Sequence, residues 1–282
     1  MVGVLGVSAS AILVRFSQAP SGVTAAYRLG WTVLLLLPVV LLRCRAELRR
    51  VTARDLVLCG ASGVLLALHF LTWFESLKRT SVASSTVLVS TEVIFTALGF
   101  ALFLHGKIPR LGVWAILLAF GGSALLALSG GGGAGELSGN LLALAAASAA
   151  AVYTLIGRIQ RGHLSTTVST FLTYLACFLT LLLGTAAAGT PLTGYGGREW
   201  LIGLALAVLC TLLGHSLFSW CLKYLSPSYV SAAKLCEPVF SSLAAIPLFG
   251  EVPGPLQLAG GAAVLGAVLL YTWAEREKTP AG

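Results

Sequence analysis

Apolar residues run through this chain in long blocks separated by short clusters of polar residues, Pro or Gly. A helix crossing roughly 30 Å of hydrocarbon needs about 20 predominantly apolar residues. Ten blocks fit that scale: residues 2–18, 22–42, 56–77, 82–104, 111–129, 137–160, 166–187, 200–222, 229–249 and 256–273. None alternates polar with apolar, as a strand of a membrane barrel must. The pattern predicts an all-α integral membrane protein of ten transmembrane helices. The first block starts at Val2 with no basic residue before it, so it is expected to be a retained span rather than a cleaved leader.

Composition agrees, with 57% of residues hydrophobic and 10% charged, where soluble domains carry about 25% charged residues. That excludes a water-soluble enzyme, a disordered tail and a disulfide scaffold. The net charge of +8 lies between the blocks, so it reads as an orientation signal rather than a nucleic-acid surface. With the N-terminus inside, twelve Lys/Arg, Arg43, Arg45, Arg49, Arg50 and Arg54 among them, fall on inner loops and the tail. Four, Arg15, Lys78, Arg79 and Arg198, fall on outer ends, which predicts cytoplasmic termini. Six cysteines show no metal-ligand spacing and read as small apolar residues; no cofactor or metal is implied.

At an offset of 145 residues, spans three to five align with spans eight to ten without a gap. Leu77-Lys78 meets Leu222-Lys223, Glu92 meets Glu237, Phe95 meets Phe240 and Gly121 meets Gly266. Five spans separate equivalent points, so one half enters the membrane upside down relative to the other. The expected organisation is two inverted five-helix repeats, 1–130 and 131–282, with the Gly130 to Gly135 link as a flexible joint. In such transporters the substrate site lies near the midplane between the halves.

Charged side chains inside the bilayer are functional candidates by default. Glu92 and Glu237 lie near the middles of spans four and nine, and either is a candidate carrier of a coupled proton. Lys234 shares a helix face with Glu237, as an internal ion pair or a substrate contact. Glu92 has no partner in its own helix, leaving three readings: a protonated carboxyl, a pairing with Arg28 of span two, or a wet cavity. His69 and His215 fall one position apart under the offset, His69 on the face of Trp73 and Ser76 and His215 on that of Ser219. These residues, with Arg28, are the candidate substrate contacts. Each also has a structural reading as helix packing, an aromatic interface belt or a snorkelling cation. Ser90 and Thr91 belong to a run of hydroxyls in span four that points to helix or substrate hydrogen bonds. Gly121, Gly122, Gly260, Gly261 and Gly266 in spans five and ten point to close helix packing.

The chain resembles the EamA branch of the drug/metabolite transporter superfamily over essentially its whole length. The resemblance rests on Val14-Arg15, Tyr27-Arg28, His69-Phe70 with Trp73 and Ser76-Leu77, and Thr80-Ser81-Val82-Ala83 in the first half. In the second it rests on Gly139, Tyr153, Gly214-His215-Ser216 with Trp220, Glu237-Pro238-Val239-Phe240 and Gly250-Glu251. It implies export or exchange of small metabolites, often amino acids, by alternating access across the inner membrane of a prokaryote. It also implies a central cavity lined by helices other than five and ten. One departure stands out: many relatives carry a helix-breaking Pro after the span-four Glu, and this chain has Val93, so a kink like that at Pro238 is expected to be absent from span four.

A small-molecule substrate in a lipid bilayer, with protons as a possible co-substrate and no nucleic acid, is the expected set of partners; an internal repeat makes a monomer sufficient. Arg28 and Lys234 beside Glu92 and Glu237 suit an amino acid or related zwitterion, whereas the carboxylates with Trp73 suit a cationic amine or drug. A channel would lack the need for an inverted repeat. An intramembrane enzyme is disfavoured because His215 and Ser216 are adjacent and point about 100° apart on a helix.

Overall fold

The computed structural model describes residues 2–103, 108–129, 134–160, 164–215 and 236–276. Among them the secondary structure is helical: α1 (Val2–Phe16), α2 (Ser21–Arg43), the single turn α3 (Arg45–Leu48), α4 (Ala53–Arg79), α5 (Val82–Val89), α6 (Glu92–Phe103), α7 (Arg110–Ser129), α8 (Ala134–Gln160) and α9 (Thr166–Ala187). Then come α10 (Gly197–Ala205), which continues as a π-helical segment (Leu206–His215), α11 (Cys236–Phe249) and α12 (Pro255–Arg276). Among the described residues seven helical segments are long and apolar enough to cross a membrane, and three shorter apolar helices, Leu5–Phe16, Arg110–Leu126 and Cys236–Phe249, accompany them.

Helix starts follow local chemistry. Thr52 and Asp55 form a capping box at the start of α4, and the Ser81 and Ser165 hydroxyls accept the Ser84 and Val168 amides at the starts of α5 and α9. The helices bury small and branched residues inward while large apolar side chains, including Leu42, Leu102, Trp114, Leu128 and Leu183, stay exposed on the outside. So much outward apolar surface is incompatible with water and is matched by hydrocarbon.

The core is built around α4, which packs on α8, α9 and α2; α1 packs on the π segment and α11. At Gly63 the approach of α4 to α9 is so close that a Cβ would stand 2.5 Å from Ala176 Cβ. Helices α7 and α12 pair with each other away from this centre. Gly122 and Gly260 are the contact, each placing a hypothetical Cβ 2.9 Å from the other's carbonyl oxygen, whereas Gly121 and Gly266 face open space. Close packing thus accounts for two of the five glycines and not for those two.

Span four is broken, contrary to the expectation drawn from Val93. Between α5 and α6 the chain tightens: the Ser90 amide is shared between Thr86 O (3.3 Å) and Val87 O (3.1 Å), and the Thr91 amide bonds to Leu88 O (3.1 Å). The Ser90 hydroxyl donates to Thr86 O at 2.8 Å and the Thr91 hydroxyl to Leu88 O at 2.6 Å. Hydroxyls bonding back onto carbonyls bend helices as proline does.

Polar side chains stitch together the end of the molecule where α1, α4 and α11 finish and α2, α5, α8, α10 and α12 begin. Glu199, 4% exposed, accepts from the Ser17 hydroxyl (2.6 Å) and the Gln18 amide (3.1 Å). Lys78 donates to Ala19 O, Ser21 to Glu75, and Thr80 and Asn140 join α4 to α8. At the opposite end, Glu47 accepts from the Ser165 amide.

Candidate functional site

Arg28 occupies the centre of the bundle on α2, with 2% of its surface exposed. Its Nε–H donates to Thr211 Oγ1 at 2.9 Å and an Nη1–H to Ser10 Oγ at 3.1 Å, while the guanidinium stands 4.5 Å from the Phe70 ring centroid. Tyr174 and Cys177 of α9, Cys210 of the π segment and Glu237 of α11 act on it electrostatically. Burying a cation is expensive, and hydrogen bonds and a ring face recover part of the loss. Among the described residues Arg28 makes no ion pair.

The π segment explains why Thr211 reaches Arg28. Its hydroxyl donates to Leu206 O, five residues back, at 3.3 Å, and the widened turn carries Cys210 and Thr211 to the interior. Such bulges recur at functional sites.

A second group lies on α4 and its neighbours. His69 Nδ1 stands 3.0 Å from Ala146 O, which only accepts, so Nδ1 carries the hydrogen and a neutral ring presents Nε2 as an acceptor. The ring stacks on Trp73, centroids 5.8 Å apart and planes 26° from parallel. Trp73 is buried, and its Nε1–H has no hydrogen-bond partner among the described residues. Glu92 opens α6 and accepts from Thr154 Oγ1 of α8 at 2.8 Å. Both Glu92 and Arg28 act electrostatically on His69.

Of the residues singled out from sequence, Arg28, His69, Trp73 and Glu92 thus converge, with Glu237 acting on Arg28 from α11. Ser76 is buried and directs its hydroxyl to Ser85 at 2.9 Å, linking α4 to α5. His215 closes the π segment; Ser219 and Lys234, with Trp220 and residues 130–133 of the glycine link, lie outside the described residues. Sequence reading passed over Ser10, Thr154 and Thr211, single hydroxyls in apolar helices that only the packing identifies. A largely apolar cleft between α6, α7 and α8 is walled by Ile94, Phe95, Phe120 and Leu144, with Thr91 and Ser123 at its margin.

The chain matches the EamA-like transporter family over residues 1–128 and 137–273. The pseudopaline exporter CntI of Pseudomonas aeruginosa is 24% identical over 207 residues, 73% of this chain and 72% of that protein. A probable terminal-alkyne amino-acid exporter of Streptantibioticus cattleyicolor is 26% identical over 227 residues, 79% of this chain and 75% of that one. A crystal structure superposes with a TM-score of 0.63 at 18% identity, covering 96% of this chain and 94% of its counterpart, which shows a common fold.

Proposed function

Starting from a chain that belongs to the EamA-like transporter family, we propose that it exports an amino acid or related zwitterion by alternating access. The observation that carries the substrate class is Arg28, a buried cation held by neutral hydroxyls and a ring face, which offers a carboxylate a charge-assisted partner. Glu92 and Glu237 supply negative charge for an ammonium group and are the candidates for carrying a coupled proton. His69, stacked on Trp73, is within electrostatic reach of both Arg28 and Glu92. Both matched relatives named above as exporters support movement of a small metabolite outward.

In this reading the protein has ten spans in two inverted halves, 1–130 and 131–282, and both termini are cytoplasmic. The packing supports the inversion. Helix α4 packs on α8 and α9, and α10 with its π segment packs on α1 and α2, as an exchange of halves requires.

The test is counterflow in proteoliposomes loaded with pooled amino acids or pooled amines. Labelled amino acids should exchange saturably, faster with the same class inside. Arg28→Gln should cut that exchange about tenfold to a hundredfold, the range of a lost hydrogen bond to a charged group at 1.5–3 kcal/mol. Exchange of amines and not of amino acids would replace this substrate class with the cationic one.

A further inference from the structure

Arg15 and Glu251 have taken no part in the site described so far. Arg15 ends α1, and Glu251 follows α11. Their side chains meet at 2.8 Å and are 27% and 19% exposed. The contact is wider than a pair. Arg15 Nη1–H also donates to Leu77 O and, at 3.4 Å, to Thr80 O, the last turn of α4 and the residue after it. The other Glu251 oxygen, Oε2, accepts the Val82 amide at the start of α5 at 2.7 Å. Its carboxylate therefore bridges the end of α1 and the start of α5 from a loop of the opposite half. Just beyond it, Gln257 of α12 donates to the Ser81 and Ser84 hydroxyls at 3.3 and 3.2 Å.

The backbone is shaped to deliver this carboxylate. Gly250 has φ +69°, a conformation open to glycine, and ends α11 with its amide on Ile246 O and the Glu251 amide on Ala245 O. That reversal turns residue 251 back over the bundle. The knot stands above the site: Ser10 is five residues below Arg15 and Phe70 seven below Leu77, which at 1.5 Å per residue is about 8–11 Å.

We propose that Arg15 and Glu251, with the Val82 amide, form the latch that closes this end of the pathway over the Arg28 site, and that the latch parts each time the site opens to that side. The inference rests on the alternating-access reading. Closing draws the α1–α4 corner and the α11–α12 loop together; opening releases Glu251 from Arg15 and Val82, and water takes up both charges.

Cys210 reports the opening, since it is buried beside Ser10 and Arg28. The experiment follows modification of Cys210 by an anionic, membrane-impermeant methanethiosulfonate, read by peptide mass spectrometry in right-side-out and in inverted membrane vesicles. Glu251→Gln should speed modification about tenfold from one side only, which equals a gate weakened by about 1.4 kcal/mol. The exchange of charges in Arg15→Glu with Glu251→Arg rebuilds the ion pair alone, since an arginine at 251 cannot accept the Val82 amide, so labelling should stay faster than in the native protein. Val82→Pro keeps both charges and deletes the amide alone; Ser81, at φ −65° and ψ 152°, already has the backbone that a following proline demands, so this variant should fold and label severalfold faster. Native labelling rates in both Glu251→Gln and Val82→Pro, from both sides, would overturn the latch. Equal and simultaneous access from both sides in the native protein would instead overturn alternating access itself.

Discussion

Trp73 poses a question at the scale of a residue: what does a buried donor gain when it finds no hydrogen-bond partner among the described residues? A buried donor left unsatisfied costs about 1–3 kcal/mol. The indole N–H of Trp73 is in that position among the described residues, while its ring is fixed by stacking on His69. Trp73→Phe keeps the stack and removes the donor. Thermal unfolding in detergent should therefore show equal or higher stability, while the KM for the exported solute rises severalfold with little change in maximal rate. A fall in stability with an unchanged KM would make the indole a packing residue. Arg28, Glu92 and Trp73 were legible in the sequence because a charge or indole inside an apolar run stands out. Ser10, Thr154 and Thr211 were not, because a lone hydroxyl in such a run is commonplace and acquires meaning from the helix opposite it.

At the scale of the element, the break between α5 and α6 carries two hydroxyl back-bonds where proline was the sequence signal sought. Ser90→Ala combined with Thr91→Ala removes both back-bonds to Thr86 and Leu88. Amide hydrogen exchange across residues 88–94 should slow as the helix becomes continuous, and the turnover of transport should fall while substrate affinity stays within about twofold, a difference of 0.4 kcal/mol. That the apolar blocks are helices, seven of them among the described residues long enough to cross a membrane, was readable from block length, since hydrocarbon thickness sets it. Their interior irregularities were not: the π segment at Leu206–His215 follows from which turn must present Thr211 to Arg28, a requirement that arises only between helices.

At the scale of the molecule, the end stitched by Glu199, Lys78 and Arg15 and the end carrying Arg43 to Arg54 must face opposite sides of the bilayer. The excess of Lys and Arg on the second end predicts that it is cytoplasmic. A cysteine placed at Arg50 should react with an impermeant maleimide only in inverted vesicles, and one at Gly194 only in right-side-out vesicles; the reverse pattern would invert the orientation. The break at Ser90 and Thr91 has one more consequence here. The Ser90 hydroxyl shares Thr86 O with the Ser90 amide, so it can let go and leave the carbonyl to the backbone. A proline has no amide hydrogen to return, and span four carries no proline. The interruption in span four is thus held by side-chain bonds that rotation about χ1 breaks and remakes.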